Sequence, residues 1–423
     1  MDINNKDGWL FPNPQENKIH ILTDDEIDQL LFLSAQEEQW VANVRDEVRS
    51  REQVKDGTRS DWIIDELRIM NIGGTVTDYP FGLSVITFPS RRHLFRGESQ
   101  VYKKSLPSLN RKIQGKSDDE KLLYQAIADM RVTQLAKFIW KINVVPFWEA
   151  KLSDVNYKAL AQHYGFDTNY LDLTNDVRVA LFFATCKYIP ETDIYRPLTK
   201  EECEERQYGV IFHTPDWRVD YFNGTNSIRL ISQMGPRMDQ LLNIEDGSCD
   251  GVAFQIGLQP LVRCHYQSGY ILPMINDAPL QDDWQYEKLH IKLTPELSER
   301  AFQMMDEGRK VFPNEGINEA RPILNRIRSS KLFSEDDLLA AYERIGSIKY
   351  DEIEKFKSDI EELGIQIQKD EVDYAISAEL LDQINYKYDN KNLLESVGGM
   401  VHIKPYQQEY RNQRCIEIYG KII

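Results

Sequence analysis

The stretch Phe95-Arg96-Gly97-Glu98-Ser99 constrains this chain more than any other. It follows an apolar run of strand character, Leu83 to Phe88, within a segment from Thr75 that predicts strands carrying the chain up to Arg96. An arginine beside a glycine at a strand end brings a rigid guanidinium fork and a closely approaching backbone to one point, which is the geometry of an anion clamp. The competing assignment is a strand-end arginine in a surface ion pair. The neighbours favour the clamp: in a chain of net charge −17, the residues Arg91, Arg92, His93, Lys103, Lys104, Arg111, Lys112 and Lys116 crowd around Arg96. That overall acidity excludes an extended nucleic-acid or anionic-membrane surface, and leaves room for a local anion pocket.

The next constraint is a continuous passage from Leu160 to Ala184. Leu160 to Tyr164 predicts the end of a helix stopped by Gly165. Leu171 to Asp176 predicts a short strand and turn, with Thr174 or Asn175 capping a buried helix that carries Ala180, Leu181, Phe182 and Phe183. Elsewhere, Thr23 with Glu26, Ser117 with Glu120 and Ser334 with Asp337 are helix starts with a carboxylate three residues past the cap. Residues 187–207 predict a polar surface loop, and strands are expected at Gly209 to Phe212, at Leu261 to Leu272 with Gln267 on it, and at Tyr286 to Leu293. Mixed strands and helices in this alternation predict an α+β fold, a mixed sheet core with flanking helices.

Several of these segments together resemble the FRG-domain family of bacterial and phage proteins. The resemblance rests on Phe95-Arg96-Gly97, Pro107-Ser108-Leu109-Asn110-Arg111, Gln162-His163-Tyr164-Gly165, Leu171-Asp172-Leu173-Thr174 and Ala180-Leu181-Phe182-Phe183-Ala184. It continues through Arg263-Cys264-His265-Tyr266-Gln267-Ser268-Gly269-Tyr270 and the closing turn Phe312-Pro313, and so spans about residues 80–325. Asn169, Tyr170 and Leu173 depart from the Arg, Leu and Trp usual in the family, and the loss of that Arg removes one anion contact.

More distantly the layout is similar to ADP-ribosyltransferases, and this likeness implies an NAD-type nucleotide ligand. It implies Arg96 as the clamp, with Gly97, Arg111, Gln162, Thr174 and Gln267 as further nucleotide contacts. Gln267 stands where the catalytic glutamate is expected, and a glutamine carries no charge to stabilise an oxocarbenium-like transition state and accepts no proton. Glu98 and Asp172 are the carboxylates that can replace it, each with a structural alternative: an ion pair for Glu98 and a helix cap for Asp172. His163 is a candidate base or orienting donor. The expectation is that Arg96, His163, Asp172 and Gln267 converge on one cleft. Two function classes follow: an NAD-dependent ADP-ribosyltransferase or NAD-consuming effector of phage defence or toxin type, and a non-catalytic module sensing a nucleotide or a phage protein. HExxH, Walker and GxSxG patterns are missing from the sequence, which weighs against metalloprotease, P-loop and serine-hydrolase chemistry.

At 423 residues the chain has room for more than one unit. The expected division is a helical amino-terminal extension (1–75), the FRG domain (76–328) and a carboxy-terminal extension (329–423), whose ends would offer protein-partner surfaces. Ile27, Leu30, Leu31, Trp40, Val41 and Val44 recur at helical spacing in the first extension, which reads as cover for the next core. Five cysteines without a CxxC pair predict free thiols. The amino terminus lacks signal-peptide zones and no apolar run is of membrane-spanning length, so the sequence predicts a cytoplasmic protein.

Overall fold

Leu94 and Phe95 point to opposite sides of one strand, and each joins a separate hydrophobic core. That strand lies inside the main sheet of a computed structural model, which describes residues 1, 9–11, 19–32, 34, 74–79, 82–87, 93–151, 155–190, 192–215, 253–256, 259–274, 278–283, 286–388 and 400–404. In chain order the strands are β1 (Ile19–Leu22), β2 (Gly74–Tyr79), β3 (Gly82–Thr87), β4 (His93–Glu98), β5 (Tyr170–Thr174), β6 (Cys186–Ile189) and β7 (Ile194–Pro197). They continue with β8 (Tyr208–Pro215), β9 (Phe254–Gln255), β10 (Gly269–Pro273), β11 (Glu287–Lys292), β12 (Leu332–Ser334), β13 (Gln366–Gln368) and β14 (Met400–Lys404). Seven of them form the main sheet in the order β1-β11-β8-β4-β5-β10-β9. The β1–β11 pair is parallel and the others are antiparallel, so the sheet is mixed and the fold is α+β.

On one face Phe95, Ile211, Leu289 and Ile291 pack against Val177, Ala180, Leu181 and Ala184 of the helix Val177–Thr185. Ile27 and Leu30, from a helix over residues 24–32, complete this core as the amino-terminal periodicity predicts. Trp40, Val41 and Val44 lie outside the described residues. On the other face Leu94, Leu171, Leu173, Val210, Phe212, Tyr270 and Leu272 form the second core. The strands expected between Thr75 and Phe88 are β2 and β3, which belong to a separate three-stranded sheet with β14.

Local chemistry places the helices. The Ser117–Glu120 and Ser334–Asp337 capping boxes start the helices Asp118–Ile139 and Glu335–Arg344, each cap contributing about 1 kcal/mol. The long helix Asp118–Ile139 then serves two cores. Leu135, Phe138 and Ile139 pack with Leu160, Ile323, Ile327, Ile384 and Tyr388, while Leu123, Ile127 and Met130 pack with Phe333, Leu338, Phe356 and Ile360. Residues on both sides of position 329 therefore share apolar cores.

Four expectations need correction. The helix Val177–Thr185 is capped by Asp176, whose carboxylate accepts from Arg178 N at 2.9 Å, while Thr174 Oγ1 accepts from Asp176 N at 3.0 Å. Residues 187–207 are not a loop: they hold most of the hairpin β6–β7, whose Tyr188 and Tyr195 rings lie 5.1 Å apart, and the capped helix Lys200–Arg206. Residues Leu261 to Leu272 divide into a helical turn, Arg263–Tyr266, and β10, so Gln267 sits in the turn between them. Phe182 is fully buried, whereas Phe183 is only partly so, because its ring belongs to an aromatic group at the rim. Among the described residues, no helix is long and apolar enough to cross a membrane.

Candidate functional site

The helix Tyr157–His163 begins at Asn156, whose side chain accepts from Ala159 N at 3.0 Å, and it stops where Gly165 takes a left-handed φ of +81°. Gln162 and His163 thus fall on its last turn, just ahead of β5. Along β5 the residues Leu171 and Leu173 enter a core, and alternation sends Asp172 to the other face. There Gln162 Nε2 donates to Asp172 Oδ2 at 3.2 Å, and Gln162 is itself fixed by Thr168 Oγ1 and by the Tyr170 carbonyl at 3.1 Å. His163 Nδ1 lies 2.9 Å from Gln267 Oε1, and its Nε2 lies 3.9 Å from Asp172 Oδ1. Gln162, His163, Asp172 and Gln267 form one cluster.

Two atoms in this cluster have no partner. His163 Nε2 and Asp172 Oδ1 are both buried without a hydrogen bond, although they face each other. An unpaired buried polar atom costs about 1–3 kcal/mol, so two of them side by side concentrate unmet hydrogen-bonding capacity at this point. The Asp172 side chain keeps 37% of its surface exposed against 1% for His163, which gives the cluster its opening. Burial holds the His163 imidazole below its ordinary pKa, Asp172 opposes that shift and Arg263 adds to it. Phe312, which stacks on Arg263, belongs to an aromatic group in which Tyr195 stands 5.1 Å from both Tyr188 and Phe312, ring centre to ring centre. Burial raises the Tyr195 hydroxyl's pKa, with Asp172 among the charges acting on it.

Arg96 does not join this cluster. Alternation along β4 places it with Leu94 and Glu98, on the face away from Asp172, and its Nε donates to Glu98 Oε1 at 2.9 Å. Its Nη1 reaches across to the Asp172 backbone carbonyl at 2.9 Å. That reach exists because β4 and β5 pair only at Phe95↔Thr174 and separate beyond it, with Arg96 bridging the split. Glu98 is buried, also accepts from Ser105 Oγ, and keeps Oε2 without a partner. The expected single cleft is therefore two groups, one on each face of the sheet, joined through the Asp172 backbone.

Other expected contacts have other duties. A Cβ built on Gly97 would lie 1.8 Å from the Ala180 carbonyl oxygen, so Gly97 admits the helix Val177–Thr185 against the sheet. Thr174 is buried at the end of β5, where its Oγ1 accepts from Asp176 N. Arg111 is exposed and donates to the Leu106 carbonyl at 2.6 Å. Lys112 and Lys116 pair with Asp167 and Glu120 at 2.6 and 3.3 Å, so the basic cluster is divided among separate partners. Arg91 and Arg92 lie outside the described residues.

Two residues of the site were missed as site residues. Arg263 is buried between the rings of Tyr164 and Phe312, 4.7 and 4.4 Å from their centres, and donates to the His163 carbonyl at 2.9 Å. Glu315 is wholly buried and accepts from the hydroxyls of Tyr164 and Tyr388 and from Val262 N. The signal for Arg263 was its spacing of four from Gln267, which one helical turn brings onto one side.

A family model described as FRG domain matches residues 91–193. Residues 91–193 are an FRG domain. No curated protein and no solved structure matches it. The matched span of the FRG domain holds Arg96, Glu98, Gln162, His163 and Asp172, and hence the unpartnered pair. Arg263, Gln267 and Glu315 lie beyond it, and they close the FRG site from behind His163.

Proposed function

We propose that the FRG domain binds a nucleotide at the His163–Asp172 pair, with NAD the leading ligand. The observation that carries this reading is the unpartnered pair itself: His163 Nε2 and Asp172 Oδ1, 3.9 Å apart, buried and open toward solvent through Asp172. Two hydroxyls of a sugar placed there, one donating to the carboxylate and one to the imidazole Nε2, remove the cost of both orphaned atoms. The rings of Tyr188, Tyr195 and Phe312 offer a neighbouring surface for a planar base. Arg96, on the other face of the sheet at the split between β4 and β5, keeps its Nη2 without a hydrogen bond among the described residues, and it is the phosphate contact for a ligand whose phosphates pass that split.

With NAD as substrate, these residues fit cleavage of the nicotinamide–ribose bond, with the bonding pair leaving on nicotinamide. Asp172 supplies negative charge near the ribose, the part that Gln267 cannot play, and His163 takes the proton of the incoming hydroxyl. The product is ADP-ribose or an ADP-ribosylated acceptor, the chemistry of a toxin or of a phage-defence effector. A second reading, a sensing module without catalysis, is favoured by Gln267, whose amide is committed to His163 and to the Val311 carbonyl at 3.0 Å. Incubating the purified protein with NAD and measuring free nicotinamide separates the two. Release that disappears in Asp172→Asn supports the enzyme, and saturable binding without release supports the sensor.

A further inference from the structure

The amide of Gln267 has a defined orientation. Its Nε2 donates to the Val311 carbonyl at 3.0 Å, so its Oε1 is the atom facing His163 Nδ1 at 2.9 Å. An amide oxygen only accepts, and the Nδ1 of His163 must therefore carry the hydrogen. One turn earlier, Arg263 Nη1 donates to the His163 carbonyl at 2.9 Å, and Gln267 N donates back to the Arg263 carbonyl at 3.1 Å. Arg263 cannot shift, because its guanidinium is stacked between Tyr164 and Phe312. The next residue, Ser268, has a φ of +46°, a left-handed conformation that a serine holds only where its surroundings impose it. His163 is thus gripped twice from one helical turn, by its backbone and by its ring.

We propose that Arg263 and Gln267 are positioning residues that hold His163 in its Nδ1–H tautomer, so that the bare Nε2 facing Asp172 is the proton acceptor of the FRG site. Gln267 then has a reason to be a glutamine. A glutamate there would pair with a protonated imidazole and fill the lone pair that the site presents, whereas the neutral amide accepts from Nδ1 and leaves Nε2 bare. Burial of the ring, which keeps it neutral, agrees with this arrangement. The inference concerns the site of the proposed function but keeps a test of its own, read on the free protein. A failure to bind any nucleotide would overturn the ligand reading and leave the tautomer standing.

The test is nitrogen-15 NMR of histidine-labelled full-length protein at neutral pH, with the His163→Gln spectrum identifying the His163 signals. The expected result is a protonated Nδ1 and a bare Nε2 in the wild type. Gln267→Met should give an averaged pair of tautomers and Gln267→Glu a doubly protonated ring. Arg263→Lys should keep the wild-type tautomer more fully than Arg263→Met, since an ammonium still reaches the carbonyl. A wild-type ring protonated on Nε2 overturns the proposal, and so does a Gln267→Met variant whose ring signals do not move. If the Gln267 variants do not fold, the wild-type spectrum decides alone.

Discussion

Gly97 and Ala180 touch backbone to backbone: a methyl group on Gly97 would sit 1.8 Å from the Ala180 carbonyl oxygen and 2.8 Å from Ala184 N. The glycine of the Phe-Arg-Gly motif therefore sets the distance between β4 and the helix Val177–Thr185. Gly97→Ala has to push a buried helix off its sheet, at a cost of about 1–3 kcal/mol or more. Urea unfolding should show a lower midpoint, and an unchanged midpoint would refute the contact.

The same helix distinguishes its two phenylalanines. Phe182 is 0% exposed and packs with Met305 and Val311, so Phe182→Ala should cost about 3–5 kcal/mol. Phe183 belongs to the half-open aromatic group, and Phe183→Ala should cost clearly less. Equal losses in melting temperature would contradict this ranking.

Helix starts and stops were legible because their chemistry is local. Ser117 with Glu120, Ser334 with Asp337 and the stop at Gly165 each need only a few neighbouring residues. The faces were harder. Arg96 and Asp172 lie on adjacent strands, and whether their side chains share a face depends on the β4–β5 register, which no local pattern encodes. The segment from Leu261 to Leu272 is apolar enough for a strand or a buried helix, and only the Tyr164 and Phe312 rings around Arg263 settle its first half as a helical turn. Tyr188 and Tyr195 were hidden in a polar segment, since a two-stranded hairpin this short has little periodicity to read.

His163 makes folding pH-dependent. Its folded-state pKa lies below the ordinary 6.5, so over the interval between the two values the unfolded chain binds more protons. Stability should therefore fall as pH drops below about 6.5 and level off above it. His163→Gln should flatten that part of the profile in urea titrations, and a profile with an undiminished slope would locate the effect elsewhere.

Tyr388 ties the helix Ala378–Tyr388 to the back of the site. Its hydroxyl accepts from Ile317 N at 3.1 Å and donates to the buried Glu315 at 3.0 Å. Tyr388→Phe leaves both groups short of a partner and should cost about 1–3 kcal/mol. Hydrogen exchange should rise at the Ile317 amide, and protection equal to the wild type would argue against the tie.

The central claim, that a nucleotide occupies the His163–Asp172 pair, is tested most directly by calorimetry of the full chain with NAD, ADP-ribose and ATP. The prediction is saturable heat with NAD, affinity weakened at least about tenfold in Asp172→Ala, and weaker binding in Arg96→Ala than in Arg96→Lys, because an ammonium keeps the charge without the fork. The contradicting result is a folded wild-type protein that gives no heat with any of the three.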